Sequence, residues 1–147
     1  MTPDDRSGGI LGRISALPAE PTVAPSSVDV LLVGAEAEVR RTVAGLLRRA
    51  AHTVVEAESA AAAAEAVRLG CAPRLLLVDL EATSPAERTA LSALGRDPAC
   101  GGARVAVLSR AGNEELPGLH PAGRVLKPVD AAELVEMVRR LCDTLGG

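Results

Sequence analysis

Three polar side chains follow apolar runs of the kind that form buried strands. Asp79 ends "RLLLVD", Ser109 ends "ARVAVLS", and Lys127 ends "GRVLK". A charged side chain is costly inside a sheet unless it is paired or lies at a strand's end, facing water. Together the three side chains could handle a phosphoryl group. A carboxylate can attack it, an ammonium can pair with its oxygens, and a hydroxyl can donate a hydrogen bond to them.

Strand-like and helix-like segments alternate along the chain from Val28 onward. The alternation predicts an α/β fold, with a doubly wound parallel sheet and helices on both faces. Ligands of such a sheet bind outside the carboxyl ends of its strands, so Asp79, Ser109 and Lys127 are expected to converge there. Five short apolar runs without helical period predict the strands: "VDVLLVG", "HTVVEA", "RLLLVD", "ARVAVLS" and "GRVLK".

Capping residues mark where the helices begin. Ser59 precedes an Ala-rich segment, and "SPAE", Ser84 to Glu87, is a capping box with proline at the first helical position. Asp130 and Glu133 form a similar pair before the last helix. Residues 110–123 hold two prolines and three glycines, which leave room for at most a single helical turn. The fourth helix is therefore expected to be short or broken.

Residues 1–27 are rich in proline, serine, glycine and threonine, which predicts a flexible N-terminal tail before a domain of residues 28–147. Within the tail, Ile10, Ile14 and Leu17 have the spacing of one face of a short helix. The favoured interpretation is a disordered tail with scattered aliphatic residues. The alternative is a docking segment that folds on a partner or on the domain itself.

Composition excludes several classes of function. The chain has no Phe, Tyr or Trp, so it cannot stack aromatic rings on bases. Its net charge of −3 gives no electrostatic footprint for nucleic acid. No apolar run approaches the roughly 20 residues of a membrane helix, and no secretory signal is visible. Three scattered cysteines argue against a disulfide framework, so a cytoplasmic location is expected.

The stretch from about Val28 to Leu145 resembles the receiver domain of two-component response regulators. The resemblance is carried by "LLLVDL" with Asp79, "VAVLS" with Ser109 and "VLKP" with Lys127, together with the helix-like "EVRRTVAGLL" and "DAAELVEMVRRL". It implies a five-stranded sheet with strand order 2-1-3-4-5.

In that family, a sensor histidine kinase phosphorylates the aspartate that matches Asp79. Mg²⁺ is held by that aspartate, by an acidic pair after the first strand and by a backbone carbonyl. The residues that match Ser109 and Lys127 contact the phosphoryl group. The resemblance therefore implies a phosphoacceptor at Asp79, Mg²⁺ as cofactor, and a histidine kinase or a downstream effector as protein partner.

The acidic pair of the family is missing from this chain. Gly34 and Ala35 stand in its place, and neither side chain can bind a metal ion. The remaining candidate ligands are Glu36, Asp79 and Glu81, so Mg²⁺ binding is expected to be weakened. The position of the aromatic switch residue, three places before the conserved lysine, holds Arg124. Without aromatic residues, the usual coupling of a hydroxyl to a tyrosine cannot operate.

These departures favour a stand-alone receiver-like signalling protein that acts through protein contacts, with weak or no aspartyl phosphorylation and no enzymatic activity. Asp79 and Lys127 then remain as a structural ion pair. The alternative is a working phospho-receiver that accepts a phosphoryl group on Asp79. A small nucleotide- or flavin-binding protein is a remote third hypothesis, since no G-x-G-x-x-G motif is present. Because no DNA-binding region follows Gly147, output is expected to pass through a partner, and a homodimer is left open.

Overall fold

The computed structural model describes residues 26–81, 83–100, 102–110 and 116–146 of the 147-residue chain. The first strand begins at Ser26, two residues before the predicted start at Val28. Ser26 and Ser27 extend the sheet by pairing with Cys71 and Ala72, a backbone interaction that the polar side chains do not signal. The end of the predicted tail therefore belongs to the sheet. Residues 1–25, with the Ile10–Leu17 segment, lie outside the described residues.

Five parallel strands form one sheet in the order 2-1-3-4-5, as the resemblance implies. Each connection between consecutive strands returns the chain to the amino-terminal end of the sheet, so the carboxyl ends of all five strands lie at the same end. The strands are β1 (Ser26–Val33), β2 (Val54–Ala57), β3 (Cys71–Asp79), β4 (Arg104–Ser109) and β5 (Gly123–Leu126).

Four helices cover the two faces of this sheet in the described part of the chain. They are α1 (Ala37–Arg49), α2 (Ala60–Arg68), α3 (Pro85–Arg96) and α4 (Ala131–Gly146). One short 3₁₀ turn, Pro98–Cys100, follows α3. The predicted fold class, an α/β doubly wound sheet with helices on both faces, is confirmed.

The core has two halves because successive side chains of a strand point to opposite faces. On one face, Leu32, Leu75 and Leu77 pack with buried residues of α1 and α4. On the other face, Leu76 and Val78 pack with residues of α2 and α3. Burial on both faces explains why the central strands are continuous runs of leucine and valine rather than alternating patterns.

The connection between β4 and β5 contains no helix in its described residues, 116–122. A bridge between Leu116 and Leu119 closes a turn there, and Leu116 is fully buried against the face of α2 and α3. The Arg96 Nη1 atom donates a 3.0 Å hydrogen bond to the Gly118 carbonyl. This agrees with the short or broken fourth helix expected from the sequence, although residues 111–115 lie outside the described part.

The predicted serine caps of the helices are present, but the Glu87 carboxylate of the capping box bonds to a different helix. Ser59 Oγ accepts from the Ala62 amide, and Ser84 Oγ accepts from the Glu87 amide. The Glu87 carboxylate, however, accepts from the Ala60 amide rather than returning to the start of its own helix. Glu87 therefore ties the first turn of α3 to the first turn of α2. The capping-box pattern could not show this, because it describes contacts within one helix only.

Two helical glycines give a matched test of packing. Gly45 in α1 has nothing within 4 Å of an added Cβ. Gly45→Ala should therefore raise the free energy of unfolding by about 1 kcal/mol through helix propensity. At Gly95 in α3 an added Cβ would lie 2.9 Å from Leu119 Cδ1 and 3.1 Å from Val105 Cγ2. Gly95→Ala should lower the free energy of unfolding by about 1 kcal/mol through overpacking.

Urea unfolding followed by far-ultraviolet circular dichroism measures both changes, since the protein has no aromatic fluorescence to follow. Equal stabilisation by the two substitutions would contradict the close approach of α3 to β4 and the β4–β5 connection.

Candidate functional site

The fold brings the three predicted strand-end residues to one edge of the sheet. Asp79 ends β3 and pairs in register with Leu108, directly before Ser109 at the end of β4. Lys127 follows β5, and its amide donates to the Ser109 carbonyl at 2.9 Å. Asp79 and Ser109 are buried, at 3% and 0% exposure.

Lys127 is the centre of the site. Its Nζ lies 2.8 Å from Asp79 Oδ1, 2.9 Å from Asp79 Oδ2 and 2.7 Å from Glu81 Oε1. Burial by itself would lower the pKa of Lys127, but hydrogen bonds to the two carboxylates outweigh it and raise the pKa above its ordinary value. The ammonium is therefore held in its charged form and neutralises the buried carboxylate.

Glu81 is shared between two cations. Its second oxygen, Oε2, accepts from Arg110 Nη2 at 2.7 Å and from Arg110 Nε at 3.1 Å. Hydrogen bonds from Lys127, and then from Arg110, hold the pKa of Glu81 below its ordinary range, and the same contact raises the pKa of Arg110. Two carboxylates and two cations thus form one chain of ion pairs: Asp79, Lys127, Glu81 and Arg110.

Asp79 also binds the backbone of the loop that follows it. Its Oδ1 accepts from the Glu81 amide at 3.0 Å. Arg88 of α3 also holds this loop, because its Nη2 donates to the Leu80 carbonyl at 3.1 Å and its Nε donates to Thr83 Oγ1 at 2.7 Å. These bonds fix the backbone at residues 79–81, so the Glu81 carboxylate meets Lys127.

The end of β1 carries no carboxylate beside Asp79. Gly34 is buried, and a Cβ added to it would lie 3.4 Å from Asp79 Cβ, an ordinary contact distance. Arg40 of α1 donates from Nη1 to the Gly34 carbonyl at 2.7 Å and from Nε to Glu56 at 3.2 Å. A guanidinium therefore stands next to the position of the missing acidic pair.

The predicted metal candidates do not form a cluster. Glu36 is exposed at the end of the β1–α1 loop, whereas Asp79 is buried and Glu81 is engaged with Lys127 and Arg110. Among residues 26–146, apart from the positions that the structure does not describe, no three His, Cys, Asp or Glu side chains form a group that could hold a metal ion.

Arg124, at the position of the family's aromatic switch residue, points toward the site. Its Nη1 lies 3.4 Å from Ser109 Oγ, at the long end of hydrogen-bond distance. Arg124 belongs to β5, which is an edge strand of the sheet, and it is partly buried. The hydroxyl at the end of β4 is therefore contacted by a cationic side chain, where the sequence alone indicated only that aromatic coupling is absent.

Sequence reasoning did not identify Arg110, Arg40 or Arg88 as parts of the site. Arg110 was detectable in principle, because it directly follows Ser109 at the same strand end. Arg40 and Arg88 lie on helices, and nothing in their local pattern indicates which neighbouring loop their side chains contact.

No family model matches the sequence, and no curated protein matches it. Solved structures do match. A CheY-like response regulator receiver domain protein from Methanospirillum hungatei JF-1 aligns with 80% of this chain and 96% of its own, at a TM-score of 0.69 and 18% identity. A putative response regulator from Chloroflexus aurantiacus J-10-fl aligns with 80% of this chain and 99% of its own, at a TM-score of 0.67 and 19% identity.

The chain therefore has the fold of CheY-like response regulator receiver domains, which confirms the resemblance found in the sequence. Among the particular proteins that it is similar to, the receiver domain of NtrX from Brucella abortus is 27% identical, with a TM-score of 0.65. That alignment covers 79% of this chain and 99% of the NtrX domain.

Within the described residues, no helix combines the length and the apolar character that crossing a membrane requires.

Removing the lysine should leave a buried carboxylate without its counter-ion. Lys127→Met is expected to lower the free energy of unfolding by about 3 kcal/mol, because an uncompensated charge stays in the core. Adding Asp79→Asn to Lys127→Met should recover part of that loss. Urea unfolding of the two variants and the wild type measures the difference. Equal stability of the single and double variants would show that Lys127 is not the counter-ion of Asp79.

The lowered pKa of Glu81 predicts a stability change in acid. A carboxylate with a lowered folded-state pKa stabilises the fold above its unfolded-state pKa, and the contribution disappears as the pH falls through the folded value. The wild type should therefore exceed Glu81→Gln in free energy of unfolding at neutral pH, and the gap should shrink below pH 4.5, the ordinary value for this group. Denaturant titrations across that range test the trend. Parallel curves for the two proteins would contradict it.

Proposed function

We propose that this chain is a receiver-like signalling module that works through protein contacts in the cytoplasm, without efficient phosphorylation of Asp79. The observation that carries the proposal is the bridge from Lys127 to both Asp79 and Glu81, with Glu81 held in turn by Arg110. The site is neutralised by its own side chains. The partner is a histidine kinase or a downstream effector, and the module itself has no catalytic activity.

The residues at the site do not fit Mg²⁺. This ion takes hard oxygen ligands in near-octahedral geometry, usually with carboxylates among them. Gly34 and Ala35 offer no side-chain oxygen, Glu36 is exposed, and both oxygens of Glu81 are bound by cations. A divalent cation bound by both Asp79 and Glu81 would have to displace the Lys127 ammonium and compete with the Arg110 guanidinium for Glu81.

Asp79 is also a poor acceptor in this arrangement. Its side chain is only 3% exposed, and its oxygens bind the Lys127 ammonium and the Glu81 amide. Phosphoryl transfer depends on positioning and on neutralisation of the developing charge. Asp79 is an acceptor already paired with an ammonium, and Gly34 and Ala35 supply no carboxylate to help hold a cation beside it, so the site meets neither requirement well.

A working phospho-receiver is the second candidate, and one observation favours it. A cavity of about 270 Å³ borders Asp79 and is lined by Gly34, Ala35, Thr83 and Ser84, among others. The small residues at 34 and 35 leave room beside the carboxylate. In this candidate, a histidine kinase donates the phosphoryl group to Asp79, and Ser109 and Lys127 contact it there.

Acetyl phosphate distinguishes the two candidates. The full chain is incubated with acetyl phosphate, with and without millimolar Mg²⁺, and its intact mass is measured. The proposal expects no gain in mass for the wild type. The Gly34→Asp/Ala35→Asp variant should gain one phosphoryl group with Mg²⁺, since the space beside Asp79 accepts a side chain. Adding Asp79→Asn to that variant should abolish the gain.

A Mg²⁺-dependent gain by the wild type that Asp79→Asn removes would instead establish the second candidate. The Asp79→Asn variant serves as a second control through binding: proteins recovered with the tagged wild type should be recovered equally with Asp79→Asn if the contacts do not depend on phosphorylation.

A further inference from the structure

The outward side of α1 carries three exposed arginines, Arg41, Arg48 and Arg49. Arg41 and Arg48 lie two helical turns apart, one above the other, and Arg49 lies beside Arg48 within about 100° of the helix circumference. Gly45 lies between them, and the distance from Arg41 to Arg48 along the helix is about 10 Å. We call the surface formed by these four residues the α1 arginine face.

Arg48 is held in place by the neighbouring strand. Its Nη1 donates to Glu56 Oε2 at 3.0 Å, and its Nη2 donates to the Val54 carbonyl at 2.9 Å. The Glu56 carboxylate also accepts from Arg40 Nε at 3.2 Å. One carboxylate therefore serves two arginines, and the Arg48 side chain remains 49% exposed.

Arg41 and Arg49 are not neutralised by the described part of the chain. Neither forms a hydrogen bond or an ion pair with a described residue. Glu38, the carboxylate that α1 itself contains, is exposed one turn before Arg41 but does not pair with it. The α1 arginine face therefore has a local excess of positive charge on a chain whose net charge is −3. Such an excess favours a partner of the opposite sign.

Gly45 is not explained by packing within the described part of the chain. A Cβ added to it would have nothing within 4 Å. A glycine inside a helix costs about 1 kcal/mol relative to alanine, so this residue weakens α1 without a packing reason. Residues that break a local rule in this way are typical of functional surfaces. The missing side chain leaves the helix surface low between Arg41 and Arg48, where another backbone can approach closely.

We propose that the α1 arginine face is a docking surface for an acidic helical segment of a partner protein. The segment crosses α1 at Gly45, and its carboxylates pair with Arg41, Arg48 and Arg49. Guanidinium groups bind carboxylates through two parallel hydrogen bonds. Glutamates at positions i, i+4 and i+7 of a helix lie on one face and span about 10 Å, the same length as the arginine face.

Other classes of partner suit this face less well. Basic surfaces that bind anionic lipid carry about four to eight lysines or arginines, and the α1 arginine face offers no apolar side chain for insertion into a membrane. A net charge of −3 disfavours nucleic acid. The face is separate from the strand ends around Asp79, so the failure of this proposal and the failure of the proposed function are independent.

An alanine-based helical peptide with glutamate at i, i+4 and i+7 tests the surface, and a matched peptide carries glutamine at those positions. Each is titrated into the ¹⁵N-labelled full chain in about 0.1 M salt, where exposed charges more than about 10 Å apart are screened. The glutamate peptide should shift the amide signals of residues 41–49 most. Its affinity should fall roughly tenfold in the Arg41→Glu/Arg49→Glu variant.

Two further variants serve as controls. Arg68→Glu/Arg96→Glu changes the net charge equally, on helices that pack on the other face of the sheet, and should leave the affinity within about twofold of the wild type. Gly45→Gln places a neutral side chain between the arginines. It should raise the free energy of unfolding, as helix propensity predicts, while peptide affinity falls severalfold. A loss of binding by this variant therefore cannot come from a loss of folding.

The proposal would be overturned by equal binding of the glutamate and glutamine peptides, or by the absence of shifts at residues 41–49. An equal loss of affinity in the two double variants, or unchanged binding by Gly45→Gln, would contradict it as well. Tighter binding to phosphatidylglycerol vesicles or to a single-stranded oligonucleotide at the same ionic strength would assign the face to another class of partner and would also overturn it.

Discussion

The buried ion pair between Lys127 and Asp79 is the constraint on which the arrangement of the site depends. A carboxylate at 3% exposure needs a counter-ion within hydrogen-bond distance, and the counter-ion comes from the far side of β4. The pair thus joins the ends of β3 and β5 across the strand between them. Ser109, at the end of that middle strand, is enclosed by the same contacts and by Arg124.

Within this chain of ion pairs, the side chains balance one another's charge. Lys127 and Arg110 carry two positive charges, and Asp79 and Glu81 carry two negative charges. Glu81 takes part because its position two residues after Asp79 places a second carboxylate within reach of the same ammonium. The end of β1 adds no carboxylate, because Gly34 presents only its carbonyl, which accepts a hydrogen bond from Arg40.

A sheet buried on both faces can be built without aromatic residues because leucine and valine fill the two layers. The absence of large rings makes close approaches between elements important. Glycine allows such approaches where β5 meets α4, since a Cβ at Gly123 would lie 2.7 Å from Met137 Sδ. Along α1, the apolar side chains of Val39 and Leu46 pack against the core but remain only partly buried.

The sequence by itself determined the five strands, the start of each capped helix, and the meeting of Asp79, Ser109 and Lys127 at one edge. These features follow from local periodicity, from capping residues such as Ser59 and Ser84, and from the parallel direction of the strands. Only the tertiary structure decided how the long charged side chains are used. Glu87 caps a neighbouring helix, Arg40 binds the end of β1, and Arg110 completes the ion pairs of Glu81. Such side chains have many rotamers, and their partners lie on other elements. Their contacts are therefore set by distances between elements, which no local pattern contains.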